Sequence, residues 1–252
     1  MKESSNSKSS SSFGYKKVTE TEKVSLVDSV FTSVAERYDL MNDLMSFGTH
    51  RFWKKYFLLC SNIRKGQTVL DLASGTGDIT KLTSKAVGEK GLVVSCDINF
   101  AMLSQGRNNM IDDGIIDNIL YVQSDAQELA FAENSFDHVT MAFGLRNTAN
   151  IDKTLKSIYK ILKPGGSIQV LEFSKVDEII EKPYKTFLNN FIPFLGKFVA
   201  RDENSYKYLA ESIEMHPSQG ELINMMESSQ FKKCKYNNLS LGVVAIHKGY
   251  KI

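Results

Sequence analysis

Residues 68–80 read TVLDLASGTGDIT. An apolar run ends in an acid, Asp71, and a loop with glycines at 75 and 77 follows. Polar residues after Gly77 then open an amphipathic stretch. A strand, a glycine turn and a helix in that order form the first unit of an open α/β sheet, which binds ligands at the carboxyl ends of its strands. Gly75 and Gly77 let the chain turn tightly and bring its backbone close to a ligand.

The alternation continues on the C-terminal side. GLVVSCDI reads as a second strand, NILYVQSDA as a third, FDHVTMAFG as a fourth and SIQVLEFS as a fifth. Amphipathic helices separate most of them, and the helix with Ile151, Leu155, Ile158 and Leu162 on one stripe is ended by Pro164-Gly165-Gly166. KCKYNNLSLGVVAIHKGYKI reads as a terminal hairpin. The expected fold is α/β: a Rossmann-like, mostly parallel seven-stranded sheet with an antiparallel C-terminal strand and helices on both faces.

The organisation predicted from composition has three parts on one domain. Residues 1–20, opening MKESSNSKSSSS, read as a disordered polar tail. Residues 21–252 read as a single domain, with a helical cap over about 21–63 and an insertion or lid over about 176–220. The lid is rich in aromatics: Tyr184, Phe187, Phe191, Phe194 and Phe198.

Bulk numbers narrow the function. The chain has 252 residues, 42% apolar, with a formal net charge of +2. No dense Lys/Arg cluster argues for nucleic acid. Cys60, Cys96 and Cys234 form no C-x-x-C pair and have no His at metal spacing, so no metal site is expected. No window reaches the roughly 20 apolar residues of a membrane span. The expected location is cytoplasmic, without a secretory signal.

The glycine loop lacks the third glycine of the dinucleotide fingerprint, and Asp78 follows Gly77. An acid facing a pyrophosphate at a helix N-terminus is repulsive. A nucleoside carrying a cationic group suits the loop better, and S-adenosylmethionine is such a ligand. Asp97 closes the second strand, roughly 20 residues on, where a carboxylate accepts ribose hydroxyls. Asp125 and Ala126 close the third, within reach of an adenine edge. Each aspartate alone is equally a turn or helix-cap residue; Asp71, Asp97 and Asp125 together mark one sheet edge.

DLASGTGD, CDIN, SDAQELAF, FGLRN and LKPGG together resemble the S-adenosylmethionine-dependent C-methyltransferases of ubiquinone and menaquinone biosynthesis, the UbiE type. VAERYDLMNDLMSFGTHRFWKK, RDENSYKYLAESIEMHP and GVVAIHKGYK sharpen the resemblance, which covers nearly all of the chain from Phe13 to Ile252. It implies cofactor contacts at Thr76, Asp97, Asp125, Ala126 and Ala142, beside Asp71, Gly75 and Gly77. Ala142 stands where related sequences can have serine, which leaves only a backbone contact there. The resemblance implies methylation of a ring carbon in a polyprenylated quinol. Arg146 and Asn147 are then expected beside the ring oxygen, with Tyr38 as a further hydrogen-bonding group and His50 as the histidine most suited to be a base. The partners implied are a quinol substrate, the membrane surface at the lid, and a homodimer or quinone-biosynthesis complex. The competing readings are a methyltransferase for another small or sterol-like acceptor, a non-catalytic scaffold, and, weakest, a nicotinamide-dependent oxidoreductase.

Overall fold

The computed structural model describes residues 10–35, 38–192 and 203–252. Its centre is a seven-stranded sheet: β3 (Thr68–Leu72), β4 (Leu92–Asp97), β5 (Ile119–Gln123), β6 (Phe136–Ala142), β7 (Leu162–Phe173), β8 (Lys232–Leu239) and β9 (Val244–Tyr250). The spatial order is β5-β4-β3-β6-β7-β9-β8. The first five strands in that order run parallel, and β9 lies antiparallel between β7 and β8. The chain moves outward from β3 to β5 and then returns to place β6 on the other side of β3. That reversal opens a crevice above β3 and β6.

The parallel strands are nearly continuous apolar runs because both faces are covered. Leu70, Leu72, Val139, Met141, Ile168 and Val170 form one core with Leu155, Ile158 and Ile161 of α6 (Ile151–Ile161) and with Leu222 and Met226 of α9 (Gln219–Ser228). On other parts of the sheet, Trp53 and Phe57 of α3 (His50–Ser61) pack with Ile79, Leu171 and Ile246, and Val69 and Val93 pack with Val87 of α4 (Asp78–Val87) and Met110 of α5 (Phe100–Asp112). Local chemistry sets the helix starts. Asn150 accepts from Lys153 N to cap α6, and Ser218 with Glu221 forms a capping box for α9.

Two features differ from expectation. Residues 10–19 form a hairpin, β1 (Ser10–Phe13) and β2 (Lys16–Thr19), where a disordered tail to residue 20 was expected. Phe13 stacks on Tyr208 at 4.0 Å, and Ser11 Oγ donates to Ala149 O. These tertiary contacts order a stretch whose composition favours disorder. The helix before Pro164 ends at Ile161, and Pro164-Gly165-Gly166 falls inside β7. Phe194 and Phe198 lie outside the described residues.

The remaining helices cover the crevice. α1 (Glu20–Val34), α2 (Tyr38–Ser46) and α3 precede the sheet; α7 (Glu178–Thr186), a π-helical turn (Phe187–Phe191) and α8 (Glu203–Met215) come from the segment between β7 and α9.

Candidate active site

A cavity sits at the reversal point. Ala73 and Gly75 beyond β3, Asp97 at the end of β4, Asp125 and Ala126 beyond β5, and Ala142 and Phe143 at the end of β6 all line it. Five of the expected cofactor residues, Gly75, Asp97, Asp125, Ala126 and Ala142, thus come together on one wall. Asp97 Oδ2 accepts from Gly75 N and Oδ1 from Asn99 N, each at 2.9 Å. Burial pushes its carboxyl up, while the Asn99 and Gly75 amides pull it back. Asp125 is held in place by its own turn, with Oδ1 accepting from Gln127 N at 2.9 Å. Ala142 presents no polar side-chain atom.

Asp71, Thr76 and Gly77 are not on that wall, contrary to expectation; they shape the loop from beneath. Asp71 is 1% exposed. Thr80 Oγ1 donates to it at 2.6 Å and Thr140 Oγ1 at 3.1 Å, so it ties α4 and β6 to β3. Burial pushes it up to about 7, against the two threonine hydroxyls. Thr76 is buried, and its carbonyl accepts from Asn109 Nδ2. Gly77, at φ +92°, turns the chain into α4. Asp78 also reads differently in three dimensions. Lys54 Nζ lies 2.6 Å from its carboxylate, so this acid anchors α3 rather than facing a ligand.

The cover comes from the segment expected as a helical cap over about 21–63. α1 lies over the cavity and contributes Val24, Val27, Asp28 and Phe31 to its wall. Asn99 Nδ2 latches it, reaching Thr32 Oγ1 at 2.7 Å and Asp28 Oδ1 at 2.8 Å. Nothing in the sequence singled out Asp28. Gly106 of α5 was also unmarked. A Cβ there would meet Gly75 O at 2.7 Å, so only glycine lets α5 pack against the loop. Ala73 and Phe143 hold positive φ, 53° and 58°, on adjacent strand ends. Backbone held this way outside glycine concentrates at ligand sites.

A second chamber shares Phe31, Tyr38, Phe143 and Asn147 with the first cavity. His50, Lys54, Arg146, Phe173 and Tyr208 complete much of its wall. It therefore contains all three expected catalytic residues, Tyr38, Arg146 and Asn147. Arg146 Nη1 donates to Glu172 Oε1 at 2.7 Å and Phe143 O at 2.6 Å, while its Nε is buried without a hydrogen-bond partner among the described residues. Asn147 Oδ1 accepts from Tyr208 OH at 3.0 Å. Burial raises the Tyr38 hydroxyl above its ordinary range, with Lys54 and Arg146 acting against it. His50 Nε2 lies 2.8 Å from Asp43 Oδ1, and Nδ1 is buried without a partner among the described residues. Burial lowers the His50 pKa, and the Asp43 hydrogen bond opposes that. A neutral imidazole that donates Nε2–H to the Asp43 carboxylate leaves Nδ1 as an acceptor.

The chamber runs into an apolar groove of about 300 Å³, with which it shares Met45, Ser46, Trp53, Phe173 and Leu209. Tyr184, Phe187, Leu188 and Ile213 extend the groove. Phe47 stands at its wall, 72% exposed, with its ring 5.9 Å from Phe187 and 6.2 Å from Phe191. Three spaces thus lie in series: a carboxylate-lined cavity, a polar chamber and an apolar groove.

Comparison with known proteins gives the family and the fold. The chain is 53% identical over 240 residues to the ubiquinone/menaquinone biosynthesis C-methyltransferase UbiE of Idiomarina loihiensis, covering 95% of this chain and 96% of that one. It is 51% identical over 240 residues to the Escherichia coli protein of the same name, again covering 95% and 96%. A SAM-dependent methyltransferase from Aquifex aeolicus shares the fold, with a TM-score of 0.57 at 16% identity over 93% of this chain and 100% of that one. The sequence profile of the ubiE/COQ5 methyltransferase family matches residues 16–251, and the chain belongs to that family.

Proposed function

We propose that the protein transfers a methyl group from S-adenosylmethionine to a ring carbon of a polyprenylated quinol, of the benzoquinol or naphthoquinol type or both. The observation that carries this reading is the series of three spaces, which matches a cationic nucleoside, a hydroxylated ring and a hydrocarbon tail in that order. Asp28, Asp97 and Asp125 put three carboxylates on the first cavity's wall, and no Lys, Arg or His is on it among the described residues. Such a wall attracts a sulfonium and repels a diphosphate, and it does so more directly than Asp78.

S-adenosylmethionine, when bound, supplies a methyl group on a cationic sulfur, already a good electrophile. The protein's task is then positioning and charge management. Asp97 and the Gly75 backbone hold the nucleoside, with the Asp125-Ala126 turn at its base. Phe31, Tyr38 and Phe143 separate the two cavities and fix the ring against the donor. Arg146 Nε and Asn147 orient the ring oxygen. Arg146 keeps its charge at all relevant pH and stabilises developing phenolate. His50 Nδ1 takes the hydroxyl proton, which pushes electron density onto the neighbouring ring carbon. That carbon forms the new bond to methyl as the sulfur–methyl bond breaks and S-adenosylhomocysteine leaves. The ring carbon then releases its own hydrogen as a proton to solvent, and the ring oxygen takes back the proton held by His50, restoring the aromatic quinol.

Calorimetric titration tests the first half. S-adenosylmethionine should bind, NADH should not, and Asp97→Ala should weaken binding at least tenfold. The second half is tested with Arg146→Lys, which should bind S-adenosylmethionine normally and lose most turnover. Normal turnover by Arg146→Lys contradicts its role at the ring.

A further inference from the structure

The outward face of α3 is apolar where a surface helix is ordinarily polar. Its inner face already packs on the sheet through Trp53 and Phe57. Yet Phe52 is 63% exposed, Leu59 is 78% exposed, and Tyr56 between them is exposed as well. These three lie at i, i+4 and i+7, one stripe of the helix, and the Phe52 and Tyr56 rings stack at 6.2 Å. Exposed Lys55 lies along the same side. Between Asp43 and Asp71 the sequence has no acid, but it has Arg51, Lys54, Lys55, Arg64 and Lys65. Lys54 pairs with Asp78 and Arg51 with Asp43, which leaves exposed Lys55, Arg64 and Lys65 as the cations of the run outside an ion pair among the described residues. The turn before α3 holds Phe47, and Thr49 and Trp53 help to line the groove.

We propose that this face of α3 is the surface by which the protein lies on an anionic lipid bilayer. Phe52, Tyr56 and Leu59 enter the boundary between headgroups and acyl chains, and Lys55, Arg64 and Lys65 meet the lipid phosphates. At 12 residues α3 is far too short to span a bilayer, so it rests in the surface plane. The contact places the Phe47 end of the groove next to the lipid, and a tail then passes from bilayer to groove without crossing water. That last step rests on the quinol reading above; the lipid contact itself does not. The contact falls on α3, not only on the aromatic segment after β7 that the sequence suggested.

The test uses the full chain and two vesicle types, phosphatidylcholine alone and phosphatidylcholine mixed with phosphatidylglycerol. The wild type should sediment with the mixed vesicles and be released by salt. Phe52→Ser/Tyr56→Ser/Leu59→Ser should lower partitioning about tenfold or more, since it removes the buried apolar area. Lys55→Glu should weaken binding to the mixed vesicles only. Folding is guarded because α3 is anchored from within, by Lys248 Nζ on the carbonyls of Cys60 and Ser61 and by Trp53 Nε1 on Ser240 Oγ. Should the triple variant still fail to fold, Lys55→Glu and the salt dependence decide the matter. Turnover of a quinol with no tail should be unchanged in the triple variant, whereas turnover of a long-tailed quinol in vesicles should fall. Wild-type protein that ignores mixed vesicles, or a triple variant that binds them equally, overturns the proposal. So does a wild-type dimer in sedimentation velocity that the triple variant abolishes, since a second copy would then be the occupant. Vesicle binding without methylation of any quinol keeps the proposal and defeats the functional reading instead.

Discussion

Arg146 and Glu172 form an ion pair at 2.7 Å with side chains only 4% and 1% exposed. Glu172 Oε2 also accepts from Arg146 N, and the Phe173 ring lies 5.3 Å from the guanidinium. The pair holds the guanidinium at the chamber wall, with Nε left without a hydrogen-bond partner among the described residues. Removing one partner of a buried pair strands the other charge. Glu172→Gln should therefore cost about 3 kcal/mol in urea unfolding. It should also lower turnover while leaving S-adenosylmethionine affinity intact, because Glu172 lines no part of the first cavity. A variant as stable as the wild type would show that the pair is not the support described.

Gly106→Ala separates helix propensity from the close approach at the loop. In an ordinary helix the change stabilises by up to about 1 kcal/mol. Here the new methyl would sit 2.7 Å from Gly75 O and push the loop out of place. The expected result is a folded protein with at least tenfold weaker S-adenosylmethionine binding by calorimetry. Unchanged affinity would mean that the loop yields freely.

Asn99→Asp keeps the cap of α5, whose acceptor oxygen bonds Met102 N at 2.8 Å, but replaces the donor with a carboxylate opposite Asp28. The latch on α1 should open. Hydrogen exchange over Glu20–Val34 should rise, with little change in α5 itself. Equal protection in both proteins would show that α1 is held by packing alone.

His50→Gln should reduce turnover of the quinol by about a hundredfold or more if His50 is the base. In the wild type the rate should fall on the acid side, through a pKa below the ordinary histidine value. The variant should lose that limb while binding S-adenosylmethionine normally. A retained acid limb would transfer the role to another group.

Stability should itself depend on pH with a predictable sign. All four histidines, His50, His138, His216 and His247, have folded pKa values lowered first by burial, His138 and His247 to about 4 and His216 to about 3. Below about 6.5 the unfolded chain therefore binds more protons at these sites, and stability falls with pH. Asp71 and Asp97, raised by burial, act oppositely: folded, they keep protons that the unfolded chain sheds above about 4. Four sites oppose two, so stability should drop from pH 6.5 towards 4.5. Asp71→Asn removes one opposing site and should steepen the drop. A flat or shallower profile in that variant would contradict the account.

The legible parts of this protein are those set by near neighbours in sequence. Asp97, Gly75 and the Asp125-Ala126 turn lie where strand ends and a glycine loop must put them, so their places on the wall follow from local pattern. Arg146, Asn147 and Tyr38 came from resemblance, and the chamber does bring them together. Long-range pairings were not legible. Nothing in FGLRN indicates Glu172, and nothing in DLASGTGD shows that Asp71 is sealed by Thr140 or that Asp78 is neutralised by Lys54 from α3. The hairpin at residues 10–19 was hidden for the same reason, since its order depends on Tyr208 and Ala149, far along the chain.

The most direct test of the central claim is one labelled turnover. The protein is incubated with S-adenosylmethionine carrying a ¹³C-methyl group and a short-tailed demethylated quinol, and the product is read by NMR. The account predicts a new methyl resonance at the shift of a carbon-bound aromatic methyl, coupled to a ring carbon. A resonance at the shift of an oxygen-bound methyl, or no transfer from protein shown to bind both compounds, would contradict it.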